Sequence, residues 1–122
     1  MAKTVLTVDD SPSMRQLIKM TFSNAGYRVL EAEHGAMGLE VARGTAFDMV
    51  LTDLNMPVMD GMVFIRELRK LPSYAGVPIV FVTTVGEADK KAQAKAAGAT
   101  AWVTKPFEPD QLLSVAKKVL GQ

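Results

Sequence analysis

Short apolar, β-branched runs recur along the chain at Thr4 to Val8, Tyr27 to Glu31, Asp48 to Thr52, Pro78 to Thr83 and Thr100 to Thr104. Each is bounded by Gly, Pro, Asp or Asn, the pattern of a buried strand, and together they predict five strands. Between them the apolar spacing becomes helical. Met14, Leu17, Ile18, Phe22 and Ala25 fall on one face, as do Phe64, Ile65, Leu68 and Leu71, and then Leu112, Leu113, Ala116, Val119 and Leu120. Two more helices are expected over Gly35 to Arg43, which is short and rich in small residues, and over Glu87 to Ala97, where Ala and Lys leave a thin apolar stripe. Ser11-Pro12 supplies a capping hydroxyl and a first-turn proline, and Gly26 and Gly98 stand where helices should stop.

The predicted order is strand then helix, five times over. Parallel strands need crossover connections, so the sheet is covered on both faces, and continuous runs such as Val50-Leu51 and Ile79 to Val82 suit strands buried on both sides. The expected fold is a doubly wound α/β sandwich with a five-stranded parallel sheet and five helices, of the flavodoxin-like type. Sheets of this kind place their sites beyond the carboxyl ends of the strands, at the switch in strand order.

Composition narrows the function classes. A chain of 122 residues with 48% hydrophobic content can bury one core, so a single domain over 1–122 is expected. Its 14 basic and 13 acidic residues nearly cancel, which argues against nucleic acid or an anionic membrane as partner. Cysteine is absent, which removes disulfides, thiolate nucleophiles and zinc-thiolate sites and fits a reducing, cytoplasmic compartment. The first apolar run is too short for a signal-peptide core or a membrane span.

The chemistry sits at the predicted strand ends. Strand one delivers Asp9 and Asp10, strand three Asp53, strand four Thr83 and Thr84, and strand five Lys105 followed by Pro106. Clustered carboxylates repel unless a cation lies among them. Mg²⁺ suits a few hard oxygen ligands and a neighbouring phosphate. No Cys or His is expected nearby to favour zinc. Carboxylate, ammonium, hydroxyl and cation together describe a phosphoryl-transfer site, in which Asp53 is the candidate nucleophile, Asp9 and Asp10 hold the metal, and Lys105 neutralises charge.

These residues resemble the receiver domains of bacterial two-component response regulators, of the stand-alone chemotaxis type. The resemblance spans nearly the whole chain and rests on Val8-Asp9-Asp10-Ser11, Asp53-Leu54-Asn55-Met56-Pro57-Val58-Met59-Asp60-Gly61, Val82-Thr83-Thr84 and Lys105-Pro106-Phe107, in that order. It implies that Asp9, Asp10, Asp53 and the backbone carbonyl of Asn55 surround Mg²⁺. It also implies that Asp53 accepts phosphate from a histidine kinase, that Thr83 and Lys105 touch the phosphoryl oxygens, and that the Lys105-Pro106 bond is cis. By the same resemblance Thr83 and Trp102 pass the event to a surface made by the fourth helix, fifth strand and fifth helix. A single helix from Pro109 to Leu120 follows the last motif. The expected output is therefore a protein contact, with a flagellar motor switch component or another signalling protein, and not DNA binding or an enzymatic module.

Each residue also has a plainer reading. Asp9 and Asp10 could cap a helix, Thr83 could finish a strand, Lys105 could be an exposed lysine, and only their convergence with Asp53 favours a site. Asp60-Gly61 reads as a turn and helix start, and His34 as a loop residue away from the carboxylates. The eight Met residues read as packing and not as a thioether metal site. Lys90, Lys91 and Lys95 read as a solvated helix face or a contact for an acidic partner. Tyr or Phe is common in the family where this chain has Trp102, whose larger indole either packs on neighbouring helices or stays partly exposed as a partner anchor. Two other function classes share part of the chemistry. A haloacid-dehalogenase-type phosphotransferase or phosphatase uses an aspartyl nucleophile, but in an Asp-x-Asp pattern on strand one. A flavodoxin-type binding module would need an anion-binding first loop, which Asp9-Asp10-Ser11-Pro12 opposes.

Overall fold

The computed structural model describes residues 3–54, 56, 58–83, 88–105 and 107–121, without the side chains of 88–90. Five parallel strands run β1 (Thr4–Val8), β2 (Arg28–Ala32), β3 (Met49–Thr52), β4 (Ile79–Thr83) and β5 (Ala101–Thr104), in the spatial order β2-β1-β3-β4-β5. The chain steps outward from β1 to β2, then returns past β1 to lay down β3. Strand order therefore reverses between β1 and β3, and the crevice expected of a doubly wound sheet opens there. The helices are α1 (Pro12–Asn24), α2 (Gly35–Gly44), α3 (Gly61–Arg69), α4 (Ala88–Ala97) and α5 (Pro109–Leu120).

Alternation along the strands divides the core in two. Val5, Met49, Leu51, Val80, Val82 and Val103 pack with Ile18 and Phe22 of α1 and with Leu112 and Ala116 of α5. On the other face Leu6, Val8, Val50, Ile79 and Phe81 pack with Leu39 of α2, Phe64, Ile65 and Leu68 of α3, and Ala94 and Ala97 of α4. Both faces of the sheet are thus covered, as continuous apolar strands require.

Several boundaries differ from the sequence expectation. β2 begins at Arg28 rather than Tyr27, because Tyr27 packs edge-on against Phe22 at 5.1 Å and so belongs to the turn after α1. Leu17 is 41% exposed, not core, since α1 leans on the sheet through the narrower stripe of Met14, Ile18 and Phe22. Ala25 caps the end of α1 and Gly26 follows at φ +94°, a conformation that a side chain would disfavour. Glu87 lies outside the described residues.

Leu71 falls beyond α3, where a 3₁₀ turn (Pro72–Tyr74) that the apolar pattern did not foretell leads toward β4. Two side chains fasten this connection. Arg69 donates to the main-chain carbonyls of Tyr74, Val77 and Gly98 at 2.6 to 2.7 Å, tying α3, the turn and the end of α4 together through backbone acceptors. Tyr74 is buried and its hydroxyl points at the carbonyls of Ala42 at 3.0 Å and Thr45 at 2.5 Å, at the end of α2. Tyr74→Phe keeps the ring and strands those acceptors, so it is expected to cost about 1 to 2 kcal/mol in denaturant unfolding. A midpoint equal to that of the unmodified protein would show that the hydroxyl contributes nothing.

Candidate functional site

Asp9 follows β1, Asp53 follows β3 and Lys105 follows β5, each continuing the strand's alternation from Thr7, Leu51 and Val103. Because side chains alternate with period two, all three fall on the α1/α5 side of the sheet at its carboxyl end. Local bonds hold the first two in line with the strands. The Asp9 N–H donates to the Ala32 carbonyl at 3.1 Å, and the Asp53 N–H to the Val8 carbonyl at 3.0 Å.

Lys105 Nζ reaches Asp9 Oδ2 at 3.0 Å and Asp53 Oδ2 at 3.3 Å, bridging two carboxylates from different strands. Asp9 Oδ1 accepts from the Ser11 N–H at 2.9 Å, and Asp53 Oδ1 from the Leu54 N–H at 2.7 Å. Oxygens of Asp9, Asp10 and Asp53 all come within 4.8 Å of one another, with Asp9 buried, Asp53 half-buried and Asp10 exposed. Burial pushes the Asp9 carboxyl above its usual range and the Asp53 charge adds to this, while the Ser11 N–H and Lys105 pull it down. Three carboxylates against one ammonium leave a concentrated negative centre, open to solvent on the Asp10 side. This donor set, all oxygen and crowded, fits a hard divalent cation.

Thr83 ends β4 on the opposite face of its strand. It is fully buried, and its hydroxyl finds no partner among the described residues. Trp102 of β5 is half-buried and packs against Phe81 with ring centroids 5.6 Å apart. Its indole nitrogen is buried and likewise unpaired among the described residues. Packing and partial exposure, posed as alternatives by the sequence, therefore coexist. The indole borders a cavity of about 220 Å³ lined also by Lys91, Ala94, Lys95 and Thr100. Asn55, Thr84, Lys90's side chain and Pro106, with the Lys105-Pro106 bond, lie outside the described residues.

Three neighbours carry more than the sequence suggested. His34 is not a plain loop residue: its Nδ1 accepts the Met37 N–H at 3.2 Å and caps α2. Asp60 caps α3 by accepting the Val63 N–H at 2.9 Å, as its reading as a helix start implies, but Gly61 behind it does more, touching the Asp53 backbone so closely that no Cβ fits. Val58, 82% exposed, holds φ at +70°, a region that a β-branched side chain enters only under strain. Val58→Gly removes this cost with no packing to lose, and is expected to raise stability by about 1 kcal/mol. A lower unfolding midpoint in the glycine variant would rule the strain out.

Residues 5–117 match the response regulator receiver domain family. The chain belongs to that family. It is similar to the chemotaxis protein CheY1 of Helicobacter pylori, at 40% identity over 96% of either chain. Among solved structures it is similar to the chemotaxis protein CheY4 of Vibrio cholerae, with a TM-score of 0.95 and 41% identity over 98% of this chain and 99% of that one. It is also similar to the receiver domain of the sensor histidine kinase PA1611 of Pseudomonas aeruginosa, at 26% identity, TM-score 0.92 and full coverage of both chains. That structure holds a magnesium ion coordinated in its active site cleft. The present chain is thus a receiver domain of two-component signalling with a CheY-like fold, and its acidic cluster is one that could hold a metal ion. No helix of the described residues is long and apolar enough to cross a membrane.

Proposed function

We propose that this receiver domain takes a phosphoryl group on Asp53 from a histidine kinase, with Mg²⁺ held by Asp9, Asp10, Asp53 and the main-chain carbonyl of Asn55. The observation that carries this reading is Lys105, whose ammonium bridges the Asp9 and Asp53 carboxylates across 3.0 and 3.3 Å. Lysine is rarely buried unless paired, and this one, 11% exposed, is paired with two acids delivered by different strands, which concentrates charge of both signs at one point. The magnesium in the PA1611 receiver domain supports the choice of cation.

An Asp53 carboxylate oxygen attacks phosphorus in line with the donor's P–N bond; that bond breaks with its electron pair passing to the imidazole, and an acyl phosphate remains. The cation supplies charge neutralisation for the phosphoryl oxygens. Leu54 N–H holds Asp53 Oδ1 in place at 2.7 Å, leaving Oδ2 to react, while Lys105 can turn from that oxygen to the incoming phosphate. The orphaned Thr83 hydroxyl is a donor in waiting for one phosphoryl oxygen.

Movement of Thr83 toward the phosphate would alter packing around Phe81 and Trp102 and bias the α4, β5 and α5 surface between two arrangements. Exposed Lys91 and Lys95 beside Trp102 suit an acidic protein segment. The chemotaxis names of the relatives favour a flagellar motor switch component or another signalling protein as target. We place the switch in the cytoplasm, as one domain over 1–122, without nucleic acid or membrane contact and without turnover of outside substrates.

The test is incubation with MgCl₂ and a small phosphodonor, followed by intact mass measurement. A hydroxylamine-sensitive phosphoryl adduct that disappears with chelator is the expected result; no adduct, or sustained hydrolysis of unrelated phosphate esters, would reject the reading.

A further inference from the structure

All four polar groups of Asp9 are occupied by the protein, and one partner is a side chain of a helix. Arg15, at the end of the first turn of α1, donates from Nη1 to the Asp9 main-chain carbonyl at 2.6 Å. The chain turns into α1 immediately after Asp9, so this carbonyl, on a residue 1% exposed, has left the sheet without a ladder partner. The guanidinium is itself held: its Nε lies 3.6 Å from Glu31 Oε1 on β2, and the arginine side chain is only 13% exposed.

The carbonyl concerned belongs to the peptide unit that joins Asp9 to Asp10. Pinning it fixes ψ of Asp9 and φ of Asp10 together. Asp10 is exposed, so the backbone supplies the constraint on its carboxylate that packing does not. We propose that Arg15, braced by Glu31, is a positioning residue that presets the Asp9-Asp10 carboxylate pair for a divalent cation. This rests on the cation reading above.

The direction of the effect separates positioning from mere proximity. A guanidinium beside a cation site repels the cation, so removing a bystander arginine leaves affinity unchanged or raises it. Removing a positioning arginine lowers it, and loss of such an outer partner typically weakens metal binding by about tenfold or more. Lys19, which reaches Glu31 from the solvent side at 3.5 Å, offers a matched charge control because it touches no part of Asp9.

The experiment is Mn²⁺ binding followed by the electron paramagnetic resonance signal of free ion, with Mg²⁺ affinity obtained by competition, on the unphosphorylated full chain. Arg15→Met is expected to bind about tenfold more weakly, Arg15→Lys to fall between it and the unmodified protein, and Lys19→Gln to bind as tightly as the unmodified protein. Equal or tighter binding by Arg15→Met overturns the inference. Should circular dichroism show that Arg15→Met is unfolded, Arg15→Lys and Glu31→Gln decide: weaker binding supports the positioning role and unchanged binding overturns it. If the unmodified protein itself takes up no Mn²⁺ or Mg²⁺, the cation reading fails first and this inference fails with it.

Discussion

Asp53→Asn is expected to lower phosphoryl uptake by at least roughly three orders of magnitude, because an amide oxygen is not a nucleophile toward phosphorus. The substitution is gentle on the fold. Asn keeps an oxygen for the Leu54 N–H at 2.7 Å, and Lys105 keeps Asp9 at 3.0 Å. It also removes one of three crowded negative charges, and the Asp53 charge is part of what raises the Asp9 carboxyl. In the absence of cation the Asn variant should therefore melt no lower than the unmodified protein, and cation binding should weaken. Asp60→Asn is the informative companion, since that carboxylate already serves the Val63 N–H as a helix cap at 2.9 Å. It should label normally. Labelling of Asp53→Asn at the unmodified rate, measured by intact mass after equal exposure to phosphodonor, would remove Asp53 from the chemistry.

The candidate site could be read from the chain because it is built at strand ends. Period-two alternation and the order of apolar runs suffice to say that Asp9, Asp53 and Lys105 emerge at one edge of the sheet. The five strands were legible to within a residue at each boundary: β1, β3 and β4 are continuous runs buried on both faces, and the edge strands β2 and β5, only partly buried, are marked by their β-branched and aromatic residues and by the turns around them. What escaped had no periodic signature. Arg15 lies on α1 among polar residues, and nothing in its neighbourhood says that its guanidinium folds back to a main-chain carbonyl. The 3₁₀ turn at Pro72–Tyr74 is too short for periodicity, and Tyr74 is committed by a hydroxyl reaching a distant helix end. Leu17 was misplaced for the opposite reason: helical spacing marks a broad face, but only the strip in contact with the sheet is buried. His34 reads as a loop residue because His is not among the usual capping side chains, although its cap on the Met37 N–H is local, and Gly61 reads as a turn and helix start whose tight fit depends on atoms supplied by Asp53 and Phe81.

Gly61→Ala is the second large effect expected, and it reaches the chemistry from outside it. Gly61 opens α3 with its N–H donating to the Leu54 carbonyl at 2.8 Å, so the first turn of the helix lies directly on the strand end that carries Asp53. A Cβ there would overlap the Asp53 main-chain oxygen, lie 2.6 Å from the Phe81 ring and 3.0 Å from the Leu54 Cα. None of the three is a flexible tip. Two are backbone atoms of the site, and the Phe81 ring is wedged against Trp102 at 5.6 Å. Relief must come from moving the helix start or the Asp53 backbone, and overpacking of this kind costs about 3 kcal/mol or more. Because Asp53 must hold a reacting geometry, phosphoryl uptake should fall even in the fraction that stays folded, and Trp102 fluorescence should shift through Phe81. Gly44→Ala sets the scale: a Cβ there meets nothing within 4 Å, and alanine at that helix end should be neutral or mildly stabilising. If Gly61→Ala unfolds at the same denaturant concentration as Gly44→Ala, the β3 to α3 connection is able to yield, and close approach of the helix is not what holds Asp53 in place.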